Sequence, residues 1–348
     1  MEIPAETDLQ PVATYGPYVF VPLYGFASDA DVLEFCEGLQ ICNYGPEKLE
    51  LLLEHWDYLK QYLQIFPTTY LIQVRPPEVD FSMRVTKEAD QVHVTYEAAL
   101  KSFDHAYNVV EALRLFKPGC FGRGPCWFCA FRESHFESEG EPAVLGLPVC
   151  LALAPGDEPV SLPGGEGAAY YFELAELEPF KKFRAELSAS IESLATFPKL
   201  RLALSYFNAS FGQKPRENQV IDLFICLEAL LLQENDELTF RLATRAANLL
   251  GADASERKRV FAEVKEFYSL RSKIVHGEVL KPRETQSAQN VDRLRELVRR
   301  VLLRCVALAL ELGLAVEFFK ALGETSLDDS VRLDIQRKGS RFLYRHQT

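Results

Sequence analysis

No stretch of this chain is long and apolar enough to cross a bilayer. The longest apolar run, Val306 to Val316, is broken by Glu311 and preceded by Arg304, whereas a spanning helix needs about 20 apolar residues. The opening residues, Met1 to Asp8, have neither a basic nor an apolar segment, which argues against a secretory signal and for a cytoplasmic protein. Cysteine is sparse. Eight in 348 residues are too few for a disulfide framework, and cytosolic thiols stay reduced. Cys36, Cys42, Cys150, Cys226 and Cys305 therefore read as small buried hydrophobes. An overall basic excess is missing as well: the net charge of −12 excludes a protein that coats nucleic acid with its whole surface. Glycine-rich phosphate loops, a Ser-His-Asp order, internal repeats and low-complexity tracts are also lacking.

What is present is an ordinary globular composition, 48% hydrophobic and 25% charged, rich enough in apolar residues to bury a sizeable core. The charge is unevenly spread. Residues 1–200 hold 14 basic and 30 acidic side chains, whereas residues 241–304 hold 15 basic and 8 acidic. An acidic body with one basic segment points to a local anionic partner.

The pattern along the chain changes near residue 173. Before it, element types alternate. Residues 18–24, 68–74, 91–96 and 142–153 have the β-branched and aromatic content of strands, and 46–66 and 97–116 have helical spacing. Residues 154–167, with their prolines and glycines, read as a loop. After it, the signals are helical: 173–197, 200–211, Asn218 as a cap to about Gln233, 237–250 ending at Gly251, 253–276 ending before Gly277, and 291–312. Asp253 with Glu256 three positions on resembles a capping box, and Gly251 and Gly277 are suitable helix terminators. The expected fold is α+β: a mixed α/β domain at 1–172, an all-α bundle at 173–322 and a polar tail at 323–348.

One charge sits on an unexpected face. In the helix 254–276, Val260, Phe261, Val264, Phe267, Tyr268, Ile274 and Val275 form the apolar stripe. Arg271 follows Phe267 by four and Tyr268 by three, so it falls on that stripe, where an unpaired charge is costly to bury. Either an acid (Glu228 or Asp222) pairs with it, or the stripe meets a partner or ligand. His276 comes five residues later, about 140° around an ideal helix. Convergence of the two side chains needs a deformed last turn or a second copy of the helix. An arginine and a histidine suit RNA cleavage. The histidine transfers protons near neutral pH, the guanidinium forks onto phosphate oxygens, and a ribose 2′-OH serves as internal nucleophile, so no metal is required.

The runs VIDLFICLEALL (220–231), RLATRAANLLG (241–251) and FYSLRSKIVHG (267–277) together resemble the Apea-like branch of the HEPN superfamily, in that family's order and over about a third of the chain. The resemblance implies a helical domain, often dimeric, acting as a metal-independent endoribonuclease without cofactor. It also implies a role in prokaryotic defence or in toxin–antitoxin pairs, hence RNA, a second copy and an inhibitory or regulatory protein as partners. Arg271 and His276 match the family's Arg-x4-His motif. Ser272 stands where many members carry Asn, Asp or His. Glu228 matches an acidic position that orients the arginine. Lys273 is a candidate phosphate contact, and Arg293, Arg300 and Arg304, aligned on the last long helix, are candidate contacts to an RNA backbone. Residues 1–172 resemble nothing recognised and are assigned a sensor or regulatory role. The competing class is a non-catalytic RNA- or protein-binding dimerisation module. Cys120, Cys126, Cys129 and His135 include one CxxC with zinc spacing, but with no second pair the thiols read as buried and no metal is expected.

Overall fold

A computed structural model describes residues 18–45, 47, 49–50, 57–65, 68–75, 84–88, 91–95, 97–130, 133–138, 141–146, 149–154, 156, 170–194, 197–212, 215–233, 237–312 and 315–342. The architecture is α+β. The chain divides into two compact units, Met1–Val110 with Phe121–Leu177, and Glu111–Cys120 with Glu178–Thr348.

The first unit is built on strands β1 (Tyr18–Tyr24), β2 (Phe26–Ser28), β3 (Val32–Cys36), β4 (Leu39–Asn43), β5 (Tyr70–Val74), β6 (Arg84–Glu88), β7 (Gln91–Thr95), β8 (Gly122–Arg123), β9 (Cys126–Ala130), β10 (Glu133–Ser138), β11 (Glu141–Gly146), β12 (Val149–Ala154) and β13 (Tyr170–Phe172). Helices α1 (Asp57–Ile65) and α2 (Glu97–Phe116) interrupt them. The main sheet is antiparallel, in the order β12-β9-β1-β5-β4-β3, with β8 also pairing with β1. β1 lies between β5 and β9, which explains its nearly unbroken apolar sequence, buried on both faces. Tyr18, Phe20, Tyr44, Trp127 and Cys129 cluster with Leu59 and Leu63 of α1. The apolar run 142–153, expected as one strand, is divided between β11 and β12. Much of the expected helix 46–66 and of the loop 154–167 lies outside the described residues.

The second unit is helical: α3 (Leu177–Ser193), α4 (Pro198–Ala209), α5 (Arg216–Leu231), α6 (Leu238–Leu250), α7 (Ala254–Val275), α8 (Pro282–Gln289), α9 (Val291–Leu312), α10 (Ala315–Glu324) and α11 (Asp329–Lys338). α5 begins at Arg216, two residues before the expected cap Asn218, whose N–H donates to the Pro215 carbonyl at 3.0 Å. Apolar on nearly every side, α5 is the central helix, packed by α4, α6, α7, α8 and α9. Lys199 Nζ donates to the Leu232 carbonyl at 2.7 Å, and Arg245 donates to that of Leu231. Cations thus meet the helix's exposed C-terminal carbonyls.

Three features of this unit were not visible in the sequence pattern. The segment 323–348, expected as a polar tail, carries α11. Its Gln336 Nε2 donates to the carbonyls of Asn248 (2.6 Å) and Gly251 (2.9 Å), closing the end of α6. Residues Glu111–Cys120 belong with the helices, although a division at 172 assigns them to the first half. Arg299 holds them there through bonds to the carbonyls of Leu115 (2.7 Å) and Phe116 (3.4 Å), while its Nε and Nη2 grip Glu296. Finally, Arg295 is buried. It donates to the Ser210 carbonyl (3.0 Å) and Gln219 Oε1 (2.7 Å), pairs with Asp292, and lies 4.6 Å from the Phe211 ring centroid. No helix among the described residues is long and apolar enough to cross a membrane.

Candidate functional site

α7 carries the candidate pair. It starts as the sequence predicts: Asp253 accepts the Glu256 N–H at 2.8 Å, and Glu256 Oε2 accepts that of Ala252 at 3.0 Å. Val260, Val264, Phe267 and Leu270 are its buried residues. Val275, expected on the apolar stripe, is 50% exposed. The helix ends in a Schellman arrangement. Gly277, at φ +69°, donates to the Ile274 carbonyl at 3.1 Å, and Glu278 to that of Lys273 at 2.9 Å. Glycine is suited to this left-handed position because a β-carbon would be strained there.

Arg271 sits among the buried positions yet keeps 25% of its side chain exposed. Of the two acids weighed as partners, Glu228 faces it. Arg271 Nη2 stands 3.6 Å from Glu228 Oε1, an ion-pair separation beyond hydrogen-bonding range. Arg271 Nε and Glu228 Oε1 have no hydrogen-bond partner. The guanidinium also lies 5.8 Å from the Tyr268 ring centroid, and Tyr268 packs edge-on against Phe224 of α5. Burial pushes the Glu228 carboxyl above its ordinary range, with Arg271 opposing that rise. The two side chains thus face each other at ion-pair distance, with Arg271 Nε unbonded.

His276 is exposed at the C-cap, where its N–H donates to the Ser272 carbonyl at 3.0 Å. Its own backbone, at φ −84° and ψ 0°, leaves the helical region, but the bond from its N–H keeps the turn before it helical. The last turn is therefore not unwound before the histidine, and the two side chains leave α7 about 140° apart. Ser272 is part-buried between them in sequence.

The other candidates are engaged elsewhere. Lys273 Nζ pairs with Glu284 of α8 at 2.5 Å. Arg293 pairs with Glu263 at 3.2 Å, and Arg300 with Glu256 at 3.4 Å. Arg304 donates to the Gln336 carbonyl at 3.0 Å, and burial, with Arg300 nearby, lowers its pKa to about 10. The three arginines thus tie α9 to α7 and α11, Arg293 with its side chain 65% exposed and Arg300 and Arg304 part-buried.

No family model, curated protein or solved structure matches this chain.

Among the described residues, no group of three or more His, Cys, Asp or Glu is placed to hold a metal ion. Cys126 and Cys129 are both buried, and three positions apart on β9 they leave opposite faces of the strand. Burial pushes the Cys126 thiol up to about 12, against the pull of Arg123, the reverse of what thiolate ligation needs. The side chain of His135 lies outside the description, as does Cys150. Cys36 is exposed on β3, not buried as expected, while Cys42, Cys226 and Cys305 are buried.

Asp222 was expected only as a possible partner for Arg271. Instead it is a buried carboxyl whose Oδ2 has no hydrogen-bond partner, and burial pushes its pKa from 3.8 to about 6. A carboxyl raised in the folded state binds protons more readily than in the unfolded chain. Its contribution to stability is therefore present below the unfolded pKa and lost as pH rises through the folded value. Asp222→Asn is expected to stabilise the protein by about 1–3 kcal/mol at about pH 8 and by less than about 1 kcal/mol near pH 4, read from urea unfolding at both pH values.

Proposed function

We propose that the helical unit is a HEPN-type endoribonuclease that cuts RNA through the ribose 2′-OH, with Arg271 and His276 as its catalytic residues. The observation that carries this reading is the state of the two side chains. The guanidinium lies on an otherwise buried face, part-exposed and bound to its acid only at ion-pair distance. The imidazole is exposed at the end of the same helix.

In the reaction, the 2′-OH attacks the adjacent phosphorus, and the bond to the 5′-oxygen of the next nucleotide breaks. His276 transfers the proton, and Arg271 stabilises the charge gathering on the phosphoryl oxygens. The products are a 2′,3′-cyclic phosphate and a 5′-hydroxyl. Glu228 positions the guanidinium, and Ser272 supplies a hydroxyl beside it. DNA lacks the nucleophile and remains intact. Incubation of RNA and matching DNA with the protein and a chelator tests this: RNA cut to cyclic-phosphate ends supports it, and intact RNA removes it.

Because α7 directs the two groups apart, the active site is composite, with Arg271 from one copy and His276 from its partner. Mixing Arg271→Ala with His276→Ala protein, each inactive alone, is then expected to restore roughly a quarter of wild-type cleavage through one intact site in each mixed dimer. No recovery in a mixture shown to contain mixed dimers removes the composite site. A cytoplasmic defence or toxin role, held in check by a partner protein or by the first unit as sensor, fits such an enzyme. The alternative, a non-catalytic dimerisation module, draws support from the Arg271–Glu228 pair itself and predicts a dimer that leaves RNA whole.

A further inference from the structure

One face of α7 is free of acids. Lys258, Phe261, Lys265, Tyr268, Ser272 and His276 follow one another at spacings of three and four, which places them within roughly 80° of arc and along about 27 Å of helix. None of the six is buried, and Lys258, Lys265 and His276 are exposed. The acids of α7 point elsewhere: Glu256 pairs with Arg259 and Arg300, Glu263 with Arg293, and Glu266 accepts from Ser287.

The two lysines differ from several neighbouring cations. Arg259, Arg271, Lys273, Arg293 and Arg300 each face a carboxylate, whereas among the described residues Lys258 and Lys265 face none. Lys265 Nζ lies instead 5.5 Å from the Phe261 ring centroid. Phe261 in turn meets Phe240 of α6 edge-on at 5.8 Å, and Phe240 is 58% exposed. The face thus alternates unpaired cations with aromatic rings. Regular cations match the phosphates of a strand, and exposed rings match bases that are free to stack. A duplex has no free base faces to offer.

We propose that this face is a track for single-stranded RNA, with Lys258 and Lys265 on the phosphates and Phe261, backed by Phe240, stacking a base, so that the strand runs along α7 toward His276. This rests on the nuclease reading and names its substrate class as unpaired RNA.

The test measures binding of a fluorescent oligoadenylate of about 12 nucleotides and of a duplex RNA to the full-length chain, all in a His276→Ala background to prevent cutting. Phe261→Ala is expected to weaken oligoadenylate binding roughly tenfold and duplex binding hardly at all. Lys258→Gln with Lys265→Gln is expected to weaken it by a similar factor and to lower the slope of affinity against salt by about 1.4. Circular dichroism of each variant checks that it is folded. If folded variants of both kinds bind the oligoadenylate as the parent does, the track is wrong, even if the wild-type protein cuts RNA. Loss of binding in both, in a protein whose wild type cuts nothing, keeps the track and removes the nuclease. A parent that binds no RNA removes the track.

Discussion

His276→Ala is expected to lower chelator-resistant RNA cleavage by about 10²–10⁴-fold, the usual worth of a general acid–base group. The same change should barely move thermal stability. His276 is exposed, its described contacts are those of its backbone, and the helix stop is made by Gly277 and Glu278. An exposed substitution of that kind stays within about 0.5 kcal/mol. The two readouts together isolate chemistry from folding: full cleavage by a folded His276→Ala protein removes the imidazole from the mechanism. Arg271→Lys completes the comparison. It keeps a cation near Glu228 but loses the planar fork, so cleavage should still fall by about 10²–10³-fold.

The largest stability effect should come from Arg295→Ala. The guanidinium is almost wholly buried, and its removal strips partners from the Ser210 carbonyl and Gln219 Oε1 and leaves a hole against the Phe211 ring. The cavity and the orphaned buried acceptors together cost about 3–5 kcal/mol, which lowers the midpoint of a unit this size by on the order of 10 °C. Arg293→Ala, two residues away on α9, is the control. Its side chain is 65% exposed and pairs with Glu263, so it should cost no more than about 1 kcal/mol. Equal losses from the two variants, measured by calorimetry, would contradict the buried role of Arg295.

That contrast also marks the limit of what is legible in the pattern of residues. Arg293, Arg300 and Arg304 read as an outward row because they share a face of α9, while nothing in the spacing singles out Arg295 and Arg299. Periodicity reports which residues share a face, not what packs on it, and α9 is covered on most sides. Its charges are therefore sorted by distant elements: the end of α2 for Arg299, the turn after α4 for Arg295, and α11 for Arg304. The short polar α8, PRETQSAQ, has no apolar period to reveal it. It is held through Lys273–Glu284 and Ser287–Glu266.

The residues alone determined what is settled within a few positions along the chain: the Asp253–Glu256 start of α7, its stop at Gly277, the strand character of β1, and the presence of an arginine among apolar neighbours five residues before a histidine. Hydrogen bonds, left-handed glycine and side-chain periodicity all act over one or two turns, so they are written in order. Only the tertiary structure decided which acid meets Arg271, that the arginine stays part-exposed, that Asp222 is buried without a full set of partners, and that Lys258 and Lys265 face no carboxylate among the described residues. Each of these depends on side chains far apart in sequence competing for the same charge and the same water, and that competition is resolved only when the helices pack.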